Sequence, residues 1–180
     1  MIISVGIDPS LTGTGVVILR DGRVEISETL PNHANLPMIE RVGKITLSIA
    51  NLIHDACLGF KPTIDRAIAA IEGFSYGSNG KSVFDIGYLG WRIREELYKF
   101  YSTLPYIDVP PTSVKKFATG SGNAAKELIL QQVYKRWGVE FHDNNQADAF
   151  VLAQIGHAYV SEDVEKLTAF QKDVLKALKR

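Results

Sequence analysis

The apolar run Ile2-Ile3-Ser4-Val5-Gly6-Ile7 ends on a carboxylate, Asp8. The segment Pro9-Ser10-Leu11-Thr12-Gly13-Thr14-Gly15 follows, and then a second apolar run, Val16 to Leu19. The first run has the length and composition of a buried strand, and the second reads as its returning partner in a hairpin. A carboxylate at the tip of a central strand is costly to bury unless a metal, a cation or hydrogen bonds compensate it. Asp8 is therefore a candidate metal ligand. The small residues around it are expected to let a bulky polyanion approach closely.

The same reading extends along the chain. Strands are predicted near 2–8, 14–20 and 23–30, with Asp21-Gly22 as a hairpin turn between the last two. Ile39, Val42, Ile45, Ile49, Leu52 and Ile53 predict a helix over about 38–58, and Pro62 then breaks the chain. Arg66 to Ile71 reads as a fourth strand that ends on Glu72. A Gly/Ser/Asn loop over 73–81 leads to a helix over 82–101. Ile107 to Val109 is a short fifth strand closed by Pro110-Pro111. Thr112 and Ser113 are possible caps of a short helix over 112–118. Further helices are expected near 123–137, 145–160 and 163–179. The order implies one α/β domain over 1–180, with a mixed sheet and an amphipathic helix in its last segment, 161–180.

Composition removes several alternatives. Hydrophobic residues make up 46% of the 180, enough for a substantial core, and no apolar run reaches the length of a membrane span. No secretory signal is read at the N-terminus, so a cytoplasmic setting is expected. Cys57 is the only cysteine, which excludes an internal disulfide and a cysteine-based zinc cluster. Its expected place is as small core filler on a helix. The formal net charge is zero, yet Lys81 to Arg136 holds nine Lys/Arg against five Asp/Glu. A basic segment beside an acidic site could hold a polyanion and divalent cations together; ordinary solvation of helix faces gives the same pattern.

The acids form a constellation. Asp8 and Glu72 end two predicted strands and can converge if those strands are neighbours. Asp148 lies among Ala147, Ala149 and Phe150 on an apolar helix. Carboxylates without a Cys/His set favour Mg²⁺ or Mn²⁺. Two such ions can activate a water and stabilise the leaving oxygen in phosphodiester cleavage. Each acid also has a plainer reading. Asp8 could cap a turn, Glu72 could pair with a lysine, and Asp143 could be an N-cap completed by Gln146.

The ordered motifs resemble the RuvC family of Holliday-junction resolvases, within the RNase H-like nuclease fold. Gly6 to Gly15 looks like the family's first catalytic strand and turn, and Ala70-Ile71-Glu72 like its second acidic strand. Pro111 to Lys116, followed by Gly120 to Lys126, is similar to its two-lysine DNA-binding segment. Gln146-Ala147-Asp148-Ala149 is similar to its final acidic motif. The first motif alone also resembles actin-like ATPases and sugar kinases; the ordered set does not.

The resemblance implies a five-stranded mixed sheet, three antiparallel N-terminal strands and then parallel ones, flanked by helices. It implies a metal-dependent endonuclease that cleaves branched DNA, resolving four-way junctions by paired nicks with two-metal hydrolysis. Asp8, Glu72 and Asp148 match the metal-binding acids. Lys115 and Lys126 match the lysines near the scissile phosphate, and Lys116 and Lys81 extend the basic segment. The family places Asp or His three residues before the final Asp; here that position is Asn145, with Asp143 as a possible substitute. The aromatic residue that wedges into the junction corresponds to Phe74 or Tyr76, though Phe74 could equally anchor its loop to the core. The helix with Gly87 and Gly90 corresponds to the family's homodimer helix, its small residues permitting close packing. The departures resemble the compact phage-encoded members. A flap or fork nuclease and a branched-DNA binding protein with weak catalysis are the alternatives.

Overall fold

A computed structural model describes residues 1–57, 66–74, 81–100, 104–161 and 165–178. Pro62, the loop past Phe74 with Tyr76, and the side chains of Cys57 and Lys81 lie outside the described residues. Five strands, β1 (Ile2–Asp8), β2 (Gly15–Arg20), β3 (Arg23–Thr29), β4 (Arg66–Glu72) and β5 (Tyr106–Val109), form one sheet of order β3-β2-β1-β4-β5. β1 pairs antiparallel with β2, which pairs antiparallel with β3; β1 and β4, and β4 and β5, are parallel. The expected mixed sheet is present. Asp21 and Gly22 take positive φ, 48° and 78°, as a tight hairpin turn between twisted strands requires.

Among the described residues six helices follow the predicted order: α1 (Met38–Cys57), α2 (Lys81–Phe100), α3 (Pro111–Thr119), α4 (Lys126–Trp137), α5 (Asn144–Val160) and α6 (Ala169–Leu178). The starts of α3, α4 and α6 differ from expectation for local reasons, and those of α2 and α5 by one residue. α3 begins at Pro111, with Pro110 as its N-cap and no side-chain cap, so neither Thr112 nor Ser113 caps it. Proline is pre-organised for the first helical turn and moves the start upstream. α4 begins three residues late, after the Gly120–Gly122 segment. α6 begins at Ala169 because Thr168 hydrogen-bonds Gln171 Oε1 through both its backbone N–H and its hydroxyl.

β1 and β4 are buried on both faces, so side-chain alternation sends residues to two cores. Ile3, Val5, Ile7, Ala69 and Ile71 pack under α1 and α2. Val17, Leu19 and Ala70 face α5, with α3, α4 and α6 completing that layer.

α5 lies directly on the sheet, and two glycines explain how. A Cβ at Gly6 would stand 1.9 Å from the Ala149 carbonyl oxygen and 2.4 Å from the Ala153 nitrogen. One at Gly15 would stand 2.1 Å from the Asn145 carbonyl oxygen. Their missing side chains are therefore filled by helix backbone, not left open to a polyanion as the sequence suggested. This close approach carries Asp148 to the tips of β1 and β4.

Candidate active site

The pairing of Ile7 with Ile71 sets Asp8 beside Glu72 at the C-terminal ends of adjacent parallel strands. Strand neighbours stand about 4.8 Å apart, close enough for each carboxyl to perturb the other. Asp148, in the first turns of α5, faces the same place. These three acids line a cleft of about 240 Å³ together with Pro111, Val114 and Lys115 of α3 and Lys126 at the start of α4. Residues more than a hundred positions apart thus meet at one rim of the sheet.

Electrostatics follows from that geometry. Burial, then the charges of Glu72 and Asp148, push the Asp8 carboxyl well above its ordinary value of 3.8. Burial, then Asp148, raises Glu72. Burial raises Asp148, while Lys126 and then Lys115 oppose the rise. Like charges crowded out of water cannot all ionise without a compensating cation. Two lysines against three acids leave the cleft short of positive charge. Three carboxylates with no thiol or imidazole are a hard-oxygen donor set, which fits a divalent cation such as Mg²⁺ or Mn²⁺. Among the described residues no three Asp, Glu, His or Cys side chains already stand in ligating geometry.

The other expected site residues lie elsewhere. Asp143 is the N-cap of α5: its side chain accepts from the Asn145 N–H at 2.9 Å and from the Thr29 hydroxyl. Gln146 accepts from Ser27 at 3.0 Å instead of completing a capping box. The Asn145 amide nitrogen would stand 3.1 Å from a Cβ on Gly13, and neither Asn145 nor Asp143 lines the cleft. Lys116 turns away from the acids and pairs with Asp173 of α6 at 3.6 Å. The Phe74 ring rests on α2, its centroid 5.6 Å from that of Trp91, with the Arg94 guanidinium 4.6 Å from the Phe74 centroid. A Cβ on Gly90 would stand 2.6 Å from that ring, so Gly90 serves the fit of Phe74 within the chain. In this structure the Phe74 ring packs within the chain, against α2.

The sequence reading missed Arg94. Its side chain is 3% exposed, and it forms an ion pair with Asp108 of β5. It also donates to the carbonyl oxygens of Gly90, at 2.8 Å, and Glu72, at 3.4 Å. A buried guanidinium needs several acceptors, and here they tie α2 to the strand end that carries Glu72. Its spacing between Ile93 and Leu97 was the available signal, since it places an arginine at the margin of an apolar helix face.

A mixed β3-β2-β1-β4-β5 sheet with acids at adjacent strand tips and a third acid on the helix lying across them defines an RNase H-like domain. No protein-family model matches the chain. Curated relatives do: crossover junction endodeoxyribonuclease RuvC of Bartonella bacilliformis is 25% identical over 160 residues, 85% of this chain and 90% of the relative. That of Rickettsia prowazekii is 27% identical over 157 residues, 84% and 94% respectively. That of Chlorobium phaeovibrioides is 32% identical over 133 residues, 71% and 65%. Among solved structures, Thermus thermophilus RuvC in complex with Holliday junction substrate superposes with a TM-score of 0.68 at 25% identity, over 85% of this chain and 91% of that one. A second Thermus thermophilus RuvC structure gives a TM-score of 0.68 at 21% identity, over 84% and 90%. In sequence and in fold the chain is similar to RuvC resolvases over most of its length and of theirs.

Proposed function

We propose that residues 1–180 act as one nuclease domain, a metal-dependent endodeoxyribonuclease that resolves four-way DNA junctions by paired nicks. One observation carries this reading: three acids, Asp8 buried and Glu72 and Asp148 half-buried, line a single cleft with two lysines. The similarity to a RuvC solved with its Holliday junction substrate supports branched DNA as the substrate. Asp8, Glu72 and Asp148 are the proposed ligands of Mg²⁺, with Mn²⁺ as a functional substitute. When bound, the divalent cation supplies Lewis acidity to the scissile phosphate and the attacking water. Lys115 and Lys126 hold the phosphate over the acids and offset charge that builds on it. Pro111 and Val114 form the apolar wall of the cleft.

Paired nicks need two sites, and α2 offers the surface for a second copy. Phe84, Tyr88, Trp91 and Tyr98 stand exposed on its outward face, at the spacing of one helical stripe. This aromatic stripe, rather than Gly87 and Gly90, is the proposed homodimer contact. No helix among the described residues is long and apolar enough to cross a membrane, which is consistent with the proposed cytoplasmic setting.

The test is cleavage of a synthetic four-way junction, alongside fork, linear duplex and single strand, with Mg²⁺ or Mn²⁺. Symmetric nicks on the junction, lost in Asp8→Asn, are the expected result. Equal cutting of forks and linear DNA would replace the reading with a less selective nuclease. A second reading, a junction-binding protein with weak catalysis, is favoured by one observation: Asn145 is uncharged and outside the cleft. Tight junction binding without cleavage in either ion would establish it.

A further inference from the structure

The two lysines of the cleft sit on different helices, Lys115 near the middle of α3 and Lys126 at the start of α4. Their relative position is set by the connection over 120–125. That connection begins at Gly120, whose φ of 88° turns the chain and whose N–H caps α3 through Lys116 O. Thr119 Oγ1 donates to Lys115 O at 2.8 Å and accepts from the Ser121 N–H at 3.1 Å. These local bonds leave the outer side of the turn to be held from elsewhere.

α6 provides that support. It packs chiefly on α3, and Phe170, in its first turn, lies against the bend. A Cβ on Gly120 would stand 3.6 Å from Phe170 Cδ1 and Cε1. The Arg136 guanidinium lies 4.9 Å from the centroid of the same ring. Arg136 also donates from Nε to the Ala118 carbonyl oxygen at 2.7 Å, tying the end of α4 to the last turn of α3. One aromatic ring therefore contacts both the turn that leaves α3 and the arginine that binds α4 back to it. The Lys116–Asp173 pair joins α6 to α3 further along.

We propose that Phe170 is a positioning residue for the cleft lysines: wedged between Gly120 and Arg136, it sets the distance between Lys115 and Lys126 over the bound phosphate. The proposal rests on the reading of that cleft as the DNA site. It assigns the C-terminal helix a part in substrate binding, although α6 contributes no residue to the cleft.

The experiment is junction binding across a series of salt concentrations, without divalent cation so that no DNA is cut. Wild type is compared with Phe170→Ala, Phe170→Leu and Phe170→Tyr, with Lys115→Ala/Lys126→Ala, and with Phe170→Ala in that double-lysine background. Loss of an organised phosphate contact weakens binding and lowers the salt slope by about one. Phe170→Ala is expected to do both, weakening binding about tenfold, while Phe170→Tyr keeps wild-type values. In the double-lysine background Phe170→Ala is expected to add nothing, because residues acting through one another are not additive. If Phe170→Ala does not fold, Phe170→Leu, which keeps apolar bulk without the flat face, is read in its place. A lowered melting temperature with an unchanged salt slope would overturn the proposal, as would losses that multiply across the two sets. A wild type that does not bind the junction would instead overturn the reading of the cleft.

Discussion

At the scale of single residues, the site is a set of charges that the fold holds in an unfavourable place. The Asp8 carboxyl is raised well above 3.8, first by burial and then by Glu72 and Asp148, so the folded chain binds this proton more tightly than the unfolded chain. Its stabilising contribution is complete below the unfolded value and is lost as pH rises through the folded value. Metal-free wild type is thus expected to lose the Asp8 contribution between pH 4 and pH 8, and Asp8→Asn to flatten that part of the pH dependence while raising the midpoint at pH 8. A variant no more stable than wild type in EDTA at pH 8 would show that the charge is compensated some other way. Divalent cation reverses the imbalance: Mg²⁺ or Mn²⁺ is expected to raise the wild-type midpoint, more at pH 8 than at pH 4 because ligands must lose their protons. Asp8→Asn should lose that rise and also lose cleavage by on the order of 10²-fold or more. Asn145→Asp adds a carboxylate three residues before Asp148, on the same face of α5. Tighter Mn²⁺ binding by calorimetry is the expected gain, and unchanged affinity would mean that position 145 stays turned toward Gly13.

At the scale of elements, the decisive contact is α5 on the sheet. Gly6→Ala would drive a methyl into the Ala149 carbonyl. Overpacking of this kind costs about 1–3 kcal/mol, and the helix that carries Asp148 would have to lift, so cleavage should fall more steeply than stability. Gly43→Ala is the control: nothing lies within 4 Å of its Cβ position on α1, and replacing a mid-helix glycine should add about 0.5–1 kcal/mol in chemical denaturation. Much at this scale was legible beforehand. Apolar runs and turn residues gave every strand and helix in order, and the strand-end positions of Asp8 and Glu72 followed from them. Partners were less legible. Period and composition specify a buried face but not what covers it, so the small residues around Asp8 were read as room for a ligand, whereas at Gly6 and Gly15 a helix fills the space. Asp143 and Gln146 look like a capping box, yet Ser27 and Thr29 of β3, more than a hundred residues away, compete for them. The position of Arg94 beside an apolar helix face was a local signal, but its partners Asp108 and Glu72, like those of Phe170, are tertiary and leave no local pattern.

At the scale of the whole molecule, the proposal of paired nicks depends on the outward face of α2. Phe84→Glu together with Trp91→Glu places charge on that stripe without touching the cleft. Sedimentation should shift from dimer to monomer, and junction products from coordinated double cuts to independent single nicks. Wild type that sediments as a monomer at micromolar concentration would remove α2 as the pairing surface.

The sheet's outer strand, β3, has its own consequence. It carries Arg23, Glu25 and Glu28 along a strand that is partly exposed throughout, and charged side chains on such an edge deter further strands from adding to it. At the opposite margin β5 is only four residues long. Neither margin is a good template for growth into a fibril. A partly folded population at high concentration should therefore remain dispersed and recoverable rather than seed ordered aggregates, and neutralising the edge with Glu25→Val and Glu28→Val should be enough to produce thioflavin-positive material.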